Sequence, residues 1–249
     1  MTPIELAKLC DTLLNAHAFK DYCPNGLQID ADTPIRKVVT GVTACQALID
    51  VAISEKADAI LVHHGYFWKG ENETLTGIKG KRIRTLLQHN ISLLAYHLPL
   101  DAHATLGNNA QLAKQLGLDI VDGLDDSPNP IGNVATCSPI SADDFGERIA
   151  QQLHRTPLHI AGTNKAVARI GLCTGAAQDM IELAHAKGCD TFISGEISER
   201  TTHLAHELGM HYFAAGHHAT EMGGIRALGE YLADKHGLLV KFVNIDNPV

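Results

Sequence analysis

Basic residues are scarce in this chain: 20 Lys and Arg stand against 28 Asp and Glu, a formal charge of −8 over 249 residues. That balance argues against a nucleic-acid binder working through a broad basic face, and leaves room only for a local basic pocket around a phosphate. Cysteine offers no framework either. The six (Cys10, Cys23, Cys45, Cys137, Cys173, Cys189) contain no C-x-x-C pair and read as reduced, mostly buried thiols of a cytoplasmic protein. No apolar run approaches the roughly 20 residues that span a bilayer. The opening Met1-Thr2-Pro3-Ile4-Glu5-Leu6 shows no basic stretch followed by an apolar one, so no membrane and no secretory route is expected. G-x-G-x-x-G and a P-loop lysine are also missing, which leaves Gly171-Leu172-Cys173-Thr174-Gly175 a poor phosphate cradle. What the chain has is 45% apolar residues, enough for an extensive core in one large or two ordinary domains, and 15 histidines. Histidine is the commonest metal ligand.

Patterning predicts alternating strands and helices. Ala59-Ile60-Leu61-Val62 is a strand-length apolar run that stops at His63-His64-Gly65. A turn signal over 21–29 leads into a short strand, other strands are expected around 37–42, 92–97, 119–121, 158–162, 168–175, 191–196, 211–217 and 239–245, and helices around 4–16, 44–56, 79–89, 108–116, 143–153, 179–187, 199–208 and 224–236. The halves overlay. Ala44 to Ile49 precedes Ala176 to Ile181 by 132 residues, and the same offset sets Ala57 to His64 on Cys189 to Glu196. At an offset of 120, His97-Leu98-Pro99-Leu100-Asp101 falls on His217-His218-Ala219-Thr220-Glu221. Three overlays in one order point to duplication: an α/β protein of two α-β-(β-α)3 halves with mostly parallel mixed sheets. The polar stretch 125–130 is the expected linker, between a first repeat at 1–124 and a second at 131–249.

In parallel α/β architectures strand ends gather ligands at one sheet edge. His63 and His64 end a strand, and Gly65 frees the backbone there; one core and one exposed histidine is the plainer alternative. His97 and Asp101 follow another strand end, with Pro99 between them arguing for a loop rather than a helix. His217 and Glu221, four apart, would share a face if the chain continues there as a helical turn. Together His63, His64, Asp101, His217 and Glu221 offer mixed nitrogen and oxygen donors suited to Zn, Fe, Mn, Co or Ni rather than Ca or Mg. Five protein ligands exceed what one open catalytic ion usually takes, and two divalent ions about 3.5–4 Å apart would fit. His97, the repeat counterpart of His217, is expected to orient a ligand or carry a proton. Lys69 is either a contact for an anionic substrate or a solvated loop lysine. Glu196, standing where the first half has His64, is vestigial or an outer partner. His203, His206 and Glu207 are expected to be solvated on their helix.

Pro24-Asn25-Gly26-Leu27-Gln28, Val62-His63-His64-Gly65-Tyr66-Phe67-Trp68-Lys69-Gly70, His97-Leu98-Pro99-Leu100-Asp101 and Ala215-Gly216-His217-His218-Ala219-Thr220-Glu221 resemble the YbgI, or NIF-three-like, family, whose members carry the label GTP cyclohydrolase I type 2 homologue. The resemblance covers essentially the whole chain. It implies a NIF-three-like fold, a dinuclear metal centre on His63, His64, Asp101, His217 and Glu221 with a bridging carboxylate, and a ring-shaped homohexamer. The inserted domain that some relatives carry between the halves is absent, and its function does not transfer. The expected activity is metal-dependent hydrolysis of a nucleotide or other small phosphorylated or cyclic substrate through a metal-bridging hydroxide, with His97 as the catalytic proton carrier. The alternative is a non-catalytic carrier or regulator of metal. Nucleic acid is not an expected partner.

Overall fold

The computed structural model describes residues 1–163 and 166–249. The chain forms two compact units: residues 1–100 with 225–246, and residues 101–224 with 247–249.

The first unit opens with helix α1 (Pro3–Leu13). Thr2 accepts from the Glu5 amide while Glu5 accepts from the Thr2 amide, and Pro3 fills a first-turn position that needs no hydrogen-bonding N–H. Then follow β1 (Gly26–Ile29), β2 (Lys37–Thr43), α2 (Gln46–Ser54), β3 (Ala59–His64), α3 (Gly77–Gln88) and β4 (Ser92–Ala95). β2, β3 and β4 pair in parallel, and β1 runs antiparallel on the far side of β4. Side chains alternate across β3: Ile60 and Val62 join Val39 and Leu93 beneath Leu48, Ile49 and Ala52 of α2 and Ile83 and Leu86 of α3. Ala59 and Leu61 of the same strand are equally inaccessible, so β3 is covered on both faces. That is why it reads as an unbroken apolar run.

The chain leaves this unit within α4 (Leu98–Ala102). The loop expected there from Pro99 is instead a short helix. It forms because Pro99 lies in its first turn, where its missing N–H breaks no bond. In the second unit α5 (Asn108–Leu116) and β5 (Asp119–Gly123) lead to β6 (Asn133–Ile140), α6 (Ala142–Leu153), β7 (Leu158–Ile160), β8 (Val167–Leu172), α7 (Ile181–Ala186), β9 (Thr191–Ser194), α8 (Glu199–Leu208) and β10 (His211–Ala214). The sheet order is β5-β6-β8-β9-β10-β7, with β8, β9 and β10 parallel and β7 antiparallel to β10. Phe145 and Ile149 of α6 and Leu112 and Leu116 of α5 pack on one face with Ile170, Ile193 and Phe213. Ile181 and Ala184 of α7 and Ala205 of α8 pack on the other with Val134, Phe192 and Tyr212.

The duplication is plain in the topology. α1-β1-(β2-α2)(β3-α3)(β4-α4) matches α6-β7-(β8-α7)(β9-α8)(β10-α9), where α9 (His217–His236) returns the chain to the first unit at Ile225. The polar stretch 125–130 lies between the two repeats. Those residues are the loop of the β5–β6 hairpin, closed by the Leu124 amide on the Gly132 carbonyl at 3.0 Å, inside the second unit. The final strand, β11 (Leu239–Phe242), pairs in parallel with β2 and completes the sheet of the first unit. β6 is absent from the expected strands. Pro139 lies in it, and the register between β6 and β8 shifts between Thr136 and Ile140, an irregularity that accommodates a residue unable to donate to the ladder. Among the described residues no helix is long and apolar enough to cross a membrane.

Candidate metal centre

In the first unit β3 delivers His63, fully buried, and His64, half-buried. The rings lie 4.5 Å apart between centroids, and His97, just beyond β4, sits 5.1 Å from His63 and 5.7 Å from His64. One ligand nitrogen from each of the three lies within 4.8 Å of the others. The structure fixes how these rings face. Nδ1 of His63 is 2.8 Å from the Tyr96 carbonyl, which can only accept, so Nδ1 carries a proton and Nε2 is the nitrogen left to a metal. Nδ1 of His97 is 2.7 Å from Oδ1 of Asp21, and Nδ1 of His64 is 3.3 Å from Oγ1 of Thr43.

Asp21 carries no signal in the sequence. Its Oδ2 also accepts from the Leu98 amide at 2.9 Å and from Nδ2 of Asn25 at 2.9 Å, while Oδ1 of Asn25 accepts from the His97 amide at 2.8 Å. Burial pushes the Asp21 carboxyl up, but the hydrogen bonds from His97 and Asn25, the His97 charge and the Leu98 amide together hold it at about 2. Gln28 in turn accepts from the Tyr66 amide at 2.7 Å and donates to the Tyr66 carbonyl at 3.1 Å, fixing the loop after the histidine pair. The Pro24-to-Gln28 stretch is thus the scaffold of the imidazole cluster. Asp21, Cys23 and His97 also approach within ligand range of one another. Burial, with the Asp21 charge, pushes the Cys23 thiol up to about 12, so in the metal-free chain it is a neutral thiol.

In the second unit His217 begins α9 and Glu221 lies one turn further along it, so the helical continuation is borne out. Nε2 of His217 lies 3.2 Å from Oε2 of Glu221, and its Nδ1 lies 2.6 Å from Oε1 of Glu196. Glu196 is therefore no vestige. It orients His217 as Asp21 orients His97, although the two carboxylates come from unrelated positions in the repeat. Burial works against the His217 imidazolium, yet the hydrogen bonds and charges of Glu221 and Glu196 outweigh it and raise His217 to about 9. Glu221 is 3% exposed and Asp101 6%; buried carboxylates demand compensation by hydrogen bonds or a cation. Oδ1 of Asp101 accepts from Nδ2 of Asn108 at 2.8 Å and from Oγ1 of Thr174 at 3.3 Å. Asn108 also accepts from the Gly224 amide of α9 at 2.9 Å. Gly175 is obligatory: its φ is +69°, and a Cβ there would lie 2.2 Å from Oε1 of Glu221. Asn108, Thr174 and Gly175 are silent in the sequence because nothing local links them to the carboxylates they serve. His203 and Glu199 form only an exposed pair at 3.6 Å, as expected of solvated side chains.

The donor chemistry fits a borderline divalent metal: imidazoles with the far nitrogen already hydrogen-bonded, and buried carboxylates. Fold and donor set together define a duplicated α/β protein with clusters of His, Asp and Glu able to bind metal. The chain belongs to the Duf34/NIF3 (NGG1p interacting factor 3) family, whose model matches residues 1–248. It is 54% identical, over 100% of both chains, to a Vibrio cholerae protein named GTP cyclohydrolase 1 type 2 homolog. A solved structure described as protein ybgI, of unknown function, superposes with a TM-score of 0.97 at 46% identity over 100% of both chains. A solved structure of a Thermus thermophilus protein, TTHA1606, superposes at 0.91 with 31% identity, again over 100% of both.

Proposed function

We propose that this protein is a metal-dependent hydrolase holding two divalent ions on His63, His64, Asp101, His217 and Glu221, and acting on a nucleotide or other small phosphorylated or cyclic substrate. The observation that carries this reading is the paired device at His97 and His217: each imidazole has its Nδ1 on a carboxylate, the arrangement that sets tautomer and basicity in metal sites and proton relays. When bound, divalent ions lower the pKa of water and polarise the bond to be cleaved. The chain's own residues do the rest. Tyr96, Thr43 and Glu196 hold the ligand rings, Asn108 and Thr174 hold Asp101, and Asp21 holds His97, whose Nε2 takes and returns the proton. The printed name of the Vibrio relative supports a nucleotide as substrate class. A ring-shaped homohexamer in the cytoplasm belongs to the same proposal, on the motif resemblance alone.

The test is metal analysis joined to turnover. Purified protein should carry about two divalent ions per chain, and His63→Ala and Glu221→Gln should each lower that content. Hydrolysis across a panel of nucleotides and phosphoesters should fall at least a hundredfold in Glu221→Gln. Bound metal with no turnover on any panel member, or turnover indifferent to the substitution, overturns the hydrolase reading and favours the metal carrier.

A further inference from the structure

Trp68 is the only tryptophan in the chain, and it stands beside the imidazole cluster. Its ring centroid is 5.0 Å from that of His97 at 83° and 5.9 Å from that of His64 at 60°, so neither imidazole lies flat on the indole. As core filling it would be buried like the neighbouring Tyr66, 5% exposed, or Tyr96, 0%; instead it is half-buried. The indole N–H donates to the Gly65 carbonyl at 3.3 Å, which leaves the π faces as what the ring can offer a ligand.

The backbone is strained to put it there. Phe67 has a φ of +66°, a left-handed conformation unusual for a bulky aromatic residue, and such strain concentrates at functional sites. The strained turn is held on every side. Gln28 grips the backbone of Tyr66, the Phe67 amide donates to Glu71 at 3.2 Å, and the Lys69 amide donates to the Tyr22 carbonyl at 2.7 Å. The Tyr66 hydroxyl donates to the Ala44 carbonyl at 2.8 Å. Lys69, next in the chain and exposed, is a cation on a flexible stem. A rigid aromatic face beside candidate metal ligands, followed in the chain by an exposed cation, is the equipment for a planar ring bearing a phosphate.

We propose that Trp68 is a stacking platform that makes the site specific for a fused aromatic heterocycle carrying a phosphate, a purine nucleotide rather than a phosphoester without a ring. This rests on the hydrolase reading for its setting, and the two can fail separately. Because Trp68 is the sole tryptophan, its emission reports the site directly. The full-length protein, metal-free and zinc-loaded, is titrated with GMP, with ribose 5-phosphate and with inorganic phosphate, and zinc binding is followed by calorimetry on the same samples. GMP should quench Trp68 saturably and bind at least tenfold more tightly than ribose 5-phosphate. By calorimetry Trp68→Ala should weaken GMP about tenfold or more, leaving ribose 5-phosphate and zinc unchanged, while Trp68→Phe keeps most of the affinity. If Trp68→Ala does not fold, Trp68→Leu, apolar but without a π face, takes its place against Trp68→Phe. Equal affinity for GMP and ribose 5-phosphate, GMP binding without a change in emission, equal affinities in the Leu and Phe variants, or no GMP binding at all overturns the platform. Loss of zinc binding with GMP stacking intact overturns the metal reading alone.

Discussion

His217 carries the sharpest expectation at the scale of single residues. With its ordinary value raised to about 9, it is an imidazolium at neutral pH in the metal-free chain. A metal ion must displace that proton, so affinity should rise roughly tenfold per pH unit from 7 toward 9 and flatten above. Calorimetry in buffers of different ionisation enthalpy should count one proton released per chain at pH 7; a pH-independent affinity would contradict the assignment. In the metal-free protein the sign reverses. A raised pKa stabilises the fold fully below the unfolded value of about 6.5, and that contribution is lost as pH climbs through about 9. Metal-free protein should therefore melt at lower temperature at pH 9.5 than at pH 6.5, and zinc-loaded protein should show the smaller difference. Glu196→Gln removes the carboxylate from His217 and keeps the shape. It should cost about 10–100-fold in metal affinity, read by competition with a chromogenic chelator.

Elements set these residues in place, and Gly175 shows how tightly. It ends the turn after β8, where a methyl group would meet the Glu221 carboxylate and the positive φ would penalise any side chain. Gly175→Ala should destabilise the fold by about 1–3 kcal/mol in denaturant melts and weaken metal binding, whereas alanine at Gly188, where φ is +73° but an added Cβ meets nothing within 4 Å, should bring only the backbone strain. Such local detail bounds what a sequence can reveal. β3 is legible because a strand buried on both faces must be continuously apolar. β6 is hidden because Pro139 breaks the strand signal and only a neighbour's shifted register absorbs it. α4 misleads because a proline stops a helix in its interior and not in its first turn. His63, His64, Asp101, His217 and Glu221 stand out by residue type at strand ends. Asp21, Asn25, Asn108 and Thr174 do not, since their roles are fixed by partners distant along the chain, 76 residues away for Asp21 and His97.

At the scale of the whole molecule, light scattering should return six times the 26.8 kDa chain if the homohexamer is formed. Chelation should lower the melting temperature and re-addition of zinc should restore it, because an ion bound only by the folded chain stabilises it by mass action. The duplication is legible from three overlays; that the compact units exchange α9 and β11 across the repeats is not. A polar loop such as 125–130 looks like a linker whether it joins domains or two strands of one hairpin, and only pairing tells the two apart.

The placement of β11 beside β2 has a consequence for biosynthesis. Ribosomes deliver the chain from its amino end, and β2 emerges some 200 residues before the strand that covers its edge. Until residues 239–242 clear the exit tunnel, the first unit carries Lys37–Thr43 as an open strand edge, the kind of surface that recruits chaperones or neighbouring nascent chains. A chain truncated before Leu239 and released from the ribosome should keep the first unit protease-sensitive while the second, whose strands have all been made by Ala214, resists; limited proteolysis of the truncated chain reads the difference directly.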